Sequence, residues 1–321
     1  KENRPLLFTL TSLQVEANDK LGFSAATTLA VMQSLYEKKL LTYPRTDSNY
    51  LTEDMAAILE ERVSMLRVMN EAADEVLAAG LNIDSRIIND SKVSDHHAII
   101  PTEYIANAAG AELSANEKAV LDMVITRFLA ALSPQYEYTE TEYIFEINGE
   151  NFKLKTKVPA RLGWKKFYPD KDNKNATPNC SKGEIFDVKS IEISECETQP
   201  PKRFSESTLL KAMENIDRRI EDKELSECVS ERGLGTPATR AAIIERVIKV
   251  GYIERKGKQL VSTDKGKKVI SLLPDEVKSV EMTAAMELQL SAIENGTIAA
   301  DEVISLSLIH ISEPTRLRCI S

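Results

Sequence analysis

Apolar residues at helical spacing dominate the first 133 positions of the chain. Ser24 can cap a helix, and the apolar positions after it predict one helix that ends at Leu40. Thr52 precedes two acidic residues, which favour the positive end of a helix dipole, so a second helix is expected there. Residues 13 to 133 therefore read as one mostly helical region.

A further helix is predicted at Ser114, which forms a capping-box pattern with Glu117. An apolar stripe follows this pair and stops at Ser133 and Pro134: Leu121, Val124, Ile125, Phe128 and Leu132. Such a stripe is typical of a helix with one face in a hydrophobic core.

The pattern changes after Pro134, where short runs of alternating residues predict strands. The apolar positions of these runs are Tyr136, Tyr138, Tyr143, Ile144, Phe145, Phe152, Val158, Ile185, Val188, Ile191 and Ile193. We interpret residues 136 to 197 as an antiparallel β-rich unit with an architectural role.

From Phe204 to Ile270 the pattern is helix, turn, helix and hairpin. Thr236 caps the second helix with Pro237 at its first position, and residues 252 to 261 read as two short strands about a Lys-Gly turn. This order is that of a winged helix, a common nucleic-acid-binding unit.

The predicted fold class is thus α+β and predominantly helical. We expect a helical domain at residues 1–135, a β-rich connector at 136–199 and a winged-helix-like domain at 200–305. Residues 306–321 break the preceding pattern and resemble the translation of a sequencing adapter, so we expect a non-native tail. An ordinary amphipathic tail is the alternative.

Composition narrows the class of protein. The 321 residues carry a formal net charge of −9, so any contact with nucleic acid must come from local basic patches. One such patch is predicted at residues 240 to 270, which hold nine Lys or Arg residues against three acidic ones. A solvated charged face is the alternative interpretation.

Neither the cysteines nor the hydropathy indicates an extracellular or membrane protein. The four cysteines form no CxxC pair, which favours a reducing compartment over a zinc site or a disulfide framework. No apolar run is long enough to span a membrane. We expect a cytoplasmic, nucleoid-associated protein without membrane contact.

Tyr43, Pro44 and Arg45 form the most informative local pattern. Proline pushes the residue before it towards an extended conformation, and residues two apart in an extended chain point to the same side. A tyrosine beside a guanidinium suits chemistry on a phosphate, because the phenol can attack while the arginine holds the phosphate oxygens. A surface turn tyrosine next to a solvated arginine is the alternative.

Three motifs together resemble those of type IA DNA topoisomerases, in the order and approximate spacing of that family. They are the segment from Pro5 to Ser48, which ends with Thr42 to Ser48, the segment from His96 to Thr102, and the segment from Arg232 to Arg240. The Tyr-Pro-Arg and His-His-Ala-Ile forms are more similar to the topoisomerase III branch than to the topoisomerase I branch.

The resemblance implies a role for each matching residue. Tyr43 would attack one DNA strand and hold its 5′ end as a phosphotyrosine, Arg45 would support the scissile phosphate, and His96 would contact phosphate near the cut. Without the resemblance, the two adjacent histidines would read as a surface pair. Thr239 would contact the DNA backbone at a helix N-terminus. The further DNA-binding candidates are Arg232, Arg240, Lys256 and Lys258.

The resemblance also implies an ATP-independent isomerase that works on DNA, preferentially single-stranded, and leaves room for a helicase partner. Its Mg²⁺ would be held by an acidic Toprim domain N-terminal to the nucleophile. No Asp-x-Asp-x-Glu run occurs here, so we expect a fragment without a metal site that is inactive alone. A non-catalytic winged-helix DNA-binding protein, with Tyr43 in a structural role, is the alternative function.

Overall fold

A computed structural model gives the structure of residues 1–169, 177–230 and 233–305. The chain divides into two compact units. Unit 1 consists of Lys1–Ala17 and Thr27–Lys202, and unit 2 consists of Asn18–Ala26 with the described part of Arg203–Ser321. The adapter-like residues 306–321 lie outside the described residues.

Unit 1 is built mainly from helices. The end of its first helix, the start of its second helix and the link between them form residues 18–26 of unit 2. The α-helices of unit 1 are α1 (Leu10–Leu21), α2 (Ala25–Glu37), α3 (Leu59–Met65), α4 (Ala72–Ala79) and α5 (Ala115–Leu132). Short 3-10 helices lie at Glu53–Ile58, Leu66–Val68, Asp90–Lys92, Ile105–Gly110 and Gly163–Phe167.

Helix α5 forms the centre of the core of unit 1. The predicted capping box is present, with the Ser114 N–H donating to Glu117 Oε2 at 2.8 Å and the Glu117 N–H donating to Ser114 Oγ at 3.3 Å. All five apolar residues predicted to face the core are buried. The cap and the apolar stripe together explain why this segment is helical and where it lies.

Glu117 also connects α5 to α2. Its Oε1 accepts hydrogen bonds from Ser34 Oγ at 2.7 Å and from Lys38 Nζ at 2.6 Å. The Lys38 hydrogen bond, with those of Ser34 and Ser114, lowers the pKa of Glu117 from 4.5 to about 2. A buried carboxylate with this many donors strongly favours its ionised form.

Helix α2 ends at Glu37, three residues before the predicted end. The Leu40 N–H donates to the Leu35 carbonyl at 2.9 Å, and the Lys39 N–H donates to the Tyr36 carbonyl at 2.8 Å. This is a Schellman ending, with Leu35 and Leu40 both buried and Lys39 at φ 60°. A left-handed residue closes the helix, and here that residue is a lysine, not the usual glycine.

The helix predicted after Thr52 starts differently from expectation. The chain first forms the 3-10 turn Glu53–Ile58 and becomes α3 only at Leu59, and Thr52 makes no side-chain capping bond. Asp90 Oδ1 accepts the Glu53 N–H at 2.8 Å instead. A residue distant in sequence therefore supplies the cap.

An antiparallel hairpin, β1 (Glu137–Ile147) and β2 (Glu150–Arg161), makes up the β-structure of unit 1. Asn148 and Gly149 both have positive φ, which suits a two-residue hairpin turn. The strands predicted around Ile185, Val188 and Ile191 to Ile193 are not formed. Ile185 and Ile193 are 94% and 92% exposed, and no described strand pairs with this segment.

Unit 2 has the predicted order of helices followed by a small hairpin. Its elements are α6 (Glu206–Glu214), α7 (Lys223–Ser230), α8 (Pro237–Lys249), β3 (Ile253–Lys256), β4 (Gln259–Ser262), α9 (Asp264–Leu272), α10 (Asp275–Lys278) and α11 (Val280–Glu294), with a 3-10 turn at Ile216–Arg219. Pro237 occupies the first turn of α8, as predicted. The α+β class with predominant helix is confirmed.

A buried carboxylate holds the hairpin of unit 2 to α6. Glu206 accepts the Ala25 N–H at 2.8 Å and Arg255 Nε at 2.6 Å, and Arg255 also pairs with Glu245 on α8. The hydrogen bond that Arg255 donates to Glu245 is the main cause that raises the pKa of Arg255. Arg255 therefore acts as a structural cation of unit 2.

The predicted domain boundaries agree only partly with this division. The boundary predicted between residues 199 and 200 lies near the division after Lys202, whereas residues 136–199 share one unit with all of residues 1–135 except 18–26. Glu2 pairs with Tyr136, and Ala130, Tyr136 and Trp164 share one hydrophobic cluster, which explains why the hairpin region is continuous with the helical region.

Replacing Lys39 with glycine and with alanine should separate backbone strain from loss of the side chain. We expect Lys39→Gly to be more stable than Lys39→Ala by about 1 kcal/mol, because only glycine adopts positive φ without steric cost. Denaturant unfolding of both variants measures the difference. At Lys118, inside α5, the alanine variant should instead be more stable than the glycine variant. The same order at both sites would contradict the assigned strain.

Glu117→Gln should destabilise the chain in a pH-dependent way. The folded pKa of about 2 lies below the ordinary 4.5, so the ionised group stabilises fully above pH 4.5 and progressively less as the pH falls towards 2. We expect the free energy of unfolding to fall by about 2 kcal/mol at neutral pH. The difference from the parent chain should be smaller in acid, as measured by unfolding at several pH values. Glu142→Gln, at an exposed ion pair, should cost less than about 0.5 kcal/mol. A gap independent of pH would refute the assignment.

Candidate active site around Tyr43

The segment that contains Tyr43 is held in place by a second segment more than fifty residues on. The Thr42 N–H donates to the Ile100 carbonyl and the Thr102 N–H to the Leu40 carbonyl, each at 3.0 Å, and the Ala98 N–H donates to the Tyr50 carbonyl at 2.9 Å. Leu41 pairs with Pro101 in an antiparallel bridge. The two sequence motifs therefore lie side by side.

Burial alternates along the Tyr43 segment. Tyr43 is half-buried and Arg45 and Asp47 are exposed, whereas the even-numbered residues from Pro44 to Ser48 are buried. Alternation of this kind is typical of an extended chain with one face on the core. It agrees with the expectation that Arg45 and Tyr43 share a side.

The rings of Tyr43 and His96 are in contact, as expected for groups that act on one phosphate. Their centroids are 4.4 Å apart with an angle of 51° between the planes. His96 is exposed, and Arg45 forms neither a hydrogen bond nor an ion pair with any described residue. A half-buried phenol thus borders an exposed imidazole, with a guanidinium two residues along the same chain.

Thr46 connects the two motifs by a side-chain hydrogen bond that the sequence did not indicate. Its Oγ1 donates to the His96 carbonyl at 2.8 Å, and its own carbonyl accepts the Leu10 N–H at 3.0 Å. Thr42 adds a second link, because its Oγ1 donates to the Ala98 carbonyl at 3.2 Å. These bonds fix the backbone on both sides of Tyr43.

Tyr36 is a site neighbour whose spatial role sequence reasoning missed. It belongs to the helix predicted after Ser24, its side chain is 39% exposed, and its ring lies 5.4 Å from that of Tyr43 at an angle of 76°. Its place in the last turn of the helix that leads to Tyr43 could have indicated that it lies near this residue.

The predicted DNA-binding residues belong to unit 2, and Thr239 is exposed near the start of α8. Its hydroxyl accepts the Thr236 N–H at 3.0 Å and donates to the Thr236 carbonyl at 3.1 Å. The side chain is therefore engaged in capping its own helix, while contact with phosphate remains a prediction.

Arg240 does not have the exposed position that a DNA-contacting residue requires. It is 2% exposed, and its Nε donates to the Leu234 carbonyl at 3.2 Å. Its guanidinium passes so close to Gly233, which has φ +69°, that a Cβ there would lie 2.6 Å from Nη2. Burial raises the pKa of nearby Glu214, and the charge of Arg240 opposes this. We therefore correct its role to a structural one.

Lys256 and Lys258, at the turn of the unit 2 hairpin, are exposed as expected. Lys256 pairs with Glu254 at 2.8 Å, and Lys258 Nζ donates to the Asp19 carbonyl at 3.3 Å. Exposed pairs of this type are weak, so both cations remain accessible to an anionic ligand. Arg232 lies outside the described residues.

The described residues offer no site for a metal ion. No group of three or more His, Cys, Asp or Glu side chains comes together in residues 1–169, 177–230 and 233–305. Nor does any helix in this part of the chain combine the length and apolar character of a membrane span.

Comparison with known proteins gives the class to which the fold and the motifs belong. The family described as DNA topoisomerase matches residues 1–305. The chain is 43% identical over 317 residues to DNA topoisomerase 3 of Bacillus licheniformis, covering 95% of this chain and 43% of that protein. It is 41% identical over 312 residues to DNA topoisomerase 3 of Bacillus subtilis, covering 93% and 43%.

A solved structure shares the fold. Full-length topoisomerase I from Thermotoga maritima has a TM-score of 0.70 and 25% identity, over 98% of this chain and 50% of that one. The chain belongs to the DNA topoisomerase family, of the type IA class. Its curated relatives are topoisomerase 3 proteins, and it spans less than half their length. The alternative of a non-catalytic winged-helix protein is not favoured.

Proposed function

We propose that this chain carries the nucleophile of a type IA DNA topoisomerase that cuts and rejoins one DNA strand. The observation that supports this most directly is the contact between the rings of Tyr43 and His96, 4.4 Å apart, on two motifs that are distant in sequence. Chemistry on a phosphate requires convergent groups around one point. A tyrosine in a merely structural position would not need an exposed histidine and a free arginine beside it.

In the proposed reaction, the phenolic oxygen of Tyr43 forms a bond to phosphorus as the bond from phosphorus to the 3′-oxygen breaks. The phenol loses its proton and the departing 3′-oxygen gains one. The product is a 5′-phosphotyrosine and a free 3′-hydroxyl. The number of phosphate ester bonds is unchanged, so religation by the reverse step needs no nucleotide hydrolysis, and the net change is one of DNA topology.

Arg45 and His96 are assigned supporting roles in this proposal. The guanidinium of Arg45 is exposed and can offer two parallel N–H donors to the phosphate oxygens. His96 borders the nucleophile and can donate to the same phosphate. Both residues would stabilise the charge that develops on phosphate during attack.

In this proposal the enzyme uses Mg²⁺, and the residues that bind the ion lie outside this chain. The described residues do not form a suitable acidic cluster, so we assign the ion to the acidic Toprim domain that the family resemblance implies. When bound, such an ion would neutralise phosphate charge.

Unit 2 would hold the DNA strand. We assign phosphate contacts to Thr239, Lys256 and Lys258, and also to Arg232 from the resemblance alone. Single-stranded DNA is the preferred substrate in this proposal, because attack requires an exposed strand. We further propose a cytoplasmic, nucleoid-associated enzyme that can work with a helicase.

Tyr43→Phe should abolish covalent capture of single-stranded DNA and leave binding largely intact. The test uses a reconstituted full-length enzyme, in which this chain replaces the matching region of the Bacillus licheniformis topoisomerase 3. Adducts are measured on denaturing gels, because phenylalanine has no oxygen to form the phosphate bond. Tyr50→Phe, in the same segment, is the control and should retain capture. An adduct in Tyr43→Phe would refute the assignment of Tyr43 as the nucleophile.

The 321-residue chain by itself should bind single-stranded DNA weakly and relax no supercoiled plasmid with Mg²⁺. Binding should weaken as salt rises, because phosphate contacts release counterions. We expect Lys256→Ala to reduce the slope of log affinity against log salt by about 0.7, measured by fluorescence anisotropy. Lys157→Ala, on the unit 1 hairpin, should not change it. Relaxation that disappears in Tyr43→Phe would contradict this expectation and reveal a metal site in the chain.

A further inference from the structure

The ring of Tyr43 contacts two other rings in unit 1. It forms a T-shaped pair with the ring of Tyr36, with centroids 5.4 Å apart and an angle of 76°, and the centroid of the His96 ring lies 4.4 Å from its own. Edge-to-face contacts at this distance are favourable and directional. The ring of Tyr43 therefore has two aromatic neighbours.

Tyr36 is fixed at the end of α2 by the Schellman ending. Its carbonyl accepts the Lys39 N–H at 2.8 Å, and the flanking bond joins the buried residues Leu35 and Leu40. Its hydroxyl makes no hydrogen bond to any described residue. The ring is thus placed by the helix, and its edge-on contact is with the ring of Tyr43.

The backbone around Tyr43 is already immobilised on both sides. Thr42 is bonded to Ile100, and Thr46 is bonded to Leu10 and to His96. The remaining freedom of the nucleophile lies in its side-chain torsions, which select among a few staggered rotamers. Contacts with the rings of Tyr36 and His96 restrict these torsions.

We propose that Tyr36 is a positioning residue that holds the Tyr43 ring in the rotamer competent for attack on the phosphate. This rests on the proposed function, because it assumes that Tyr43 is the nucleophile. Tyr36 would touch neither the phosphate nor the DNA bases. Loss of its ring should slow formation of the covalent bond without weakening DNA binding.

The test compares Tyr36→Leu and Tyr36→Phe in the reconstituted full-length enzyme. The measured quantity is the single-turnover rate of adduct formation on a single-stranded oligonucleotide at saturating concentration. We expect Tyr36→Leu to slow this rate about 3- to 10-fold, the range of an aromatic pair contact. Tyr36→Phe keeps the ring and should restore the rate to within about twofold.

Binding is measured separately, by anisotropy in a Tyr43→Phe background that cannot react. Affinity should be unchanged by Tyr36→Leu. Tyr104→Leu is the matched control, because Tyr104 is an exposed tyrosine of the same unit whose ring lies under Lys39 Nζ, and it should alter neither quantity. A Tyr36→Leu variant as fast as the parent would overturn the proposal. So would a rate loss that is present at low DNA concentration and disappears at saturating DNA, since that result indicates a DNA-binding role.

A second measurement covers the case in which Tyr36→Leu disturbs folding. The enzyme is labelled with 3-fluorotyrosine, and the ¹⁹F resonance of residue 43 is identified by its absence in Tyr43→Phe. Tyr36→Leu should shift or broaden this resonance and Tyr36→Phe should not. An unshifted, sharp resonance in Tyr36→Leu overturns the proposal. Failure of the parent enzyme to form an adduct through Tyr43 would instead refute the proposed function.

Discussion

The pairing of residues 40–50 with residues 96–102 is the constraint on which the candidate site depends. Backbone hydrogen bonds from Thr42, Ala98 and Thr102 join the segments, and the side chain of Thr46 adds a bond to the His96 carbonyl. Buried backbone groups need such partners, so the pairing is required by folding as well as by chemistry. It places an imidazole from one segment against a phenol from the other.

The same core that fixes this pairing also determines which candidate site residues are exposed. Pro44, Thr46 and Ser48 are buried, so the intervening residues must face outwards, and Arg45 is consequently exposed. Helix α2 leads directly into this segment, and its left-handed Lys39 turns the chain from helix to extended strand within three residues. Local backbone geometry, core packing and the half-buried position of Tyr43 are thus parts of one arrangement.

Unit 2 shows why a count of basic residues along the sequence overestimates how many of them are available to bind DNA. Arg240 is buried against Leu234, and Arg255 is shared between Glu206 and Glu245. Both residues contribute to the basic excess of residues 240 to 270, yet each serves the internal structure of the unit. An arginine with several donors suits such buried networks, because its guanidinium stays charged and meets carboxylate and carbonyl acceptors in a fixed geometry.

The sequence by itself determined the helical cap at Ser114, the start of α8 at Pro237, the core stripe of α5, the unit 2 hairpin and the extended chain at Tyr43, because these follow from local propensity and periodicity. Its motifs also identified the family. Only the tertiary structure decided the burial of Arg240, the cap that Asp90 supplies to Glu53, the unpaired segment around Ile185 and the contact of Tyr36 with Tyr43. Each of these depends on a partner distant in sequence or on the three-dimensional direction of a side chain, and neither is encoded in the spacing of residues.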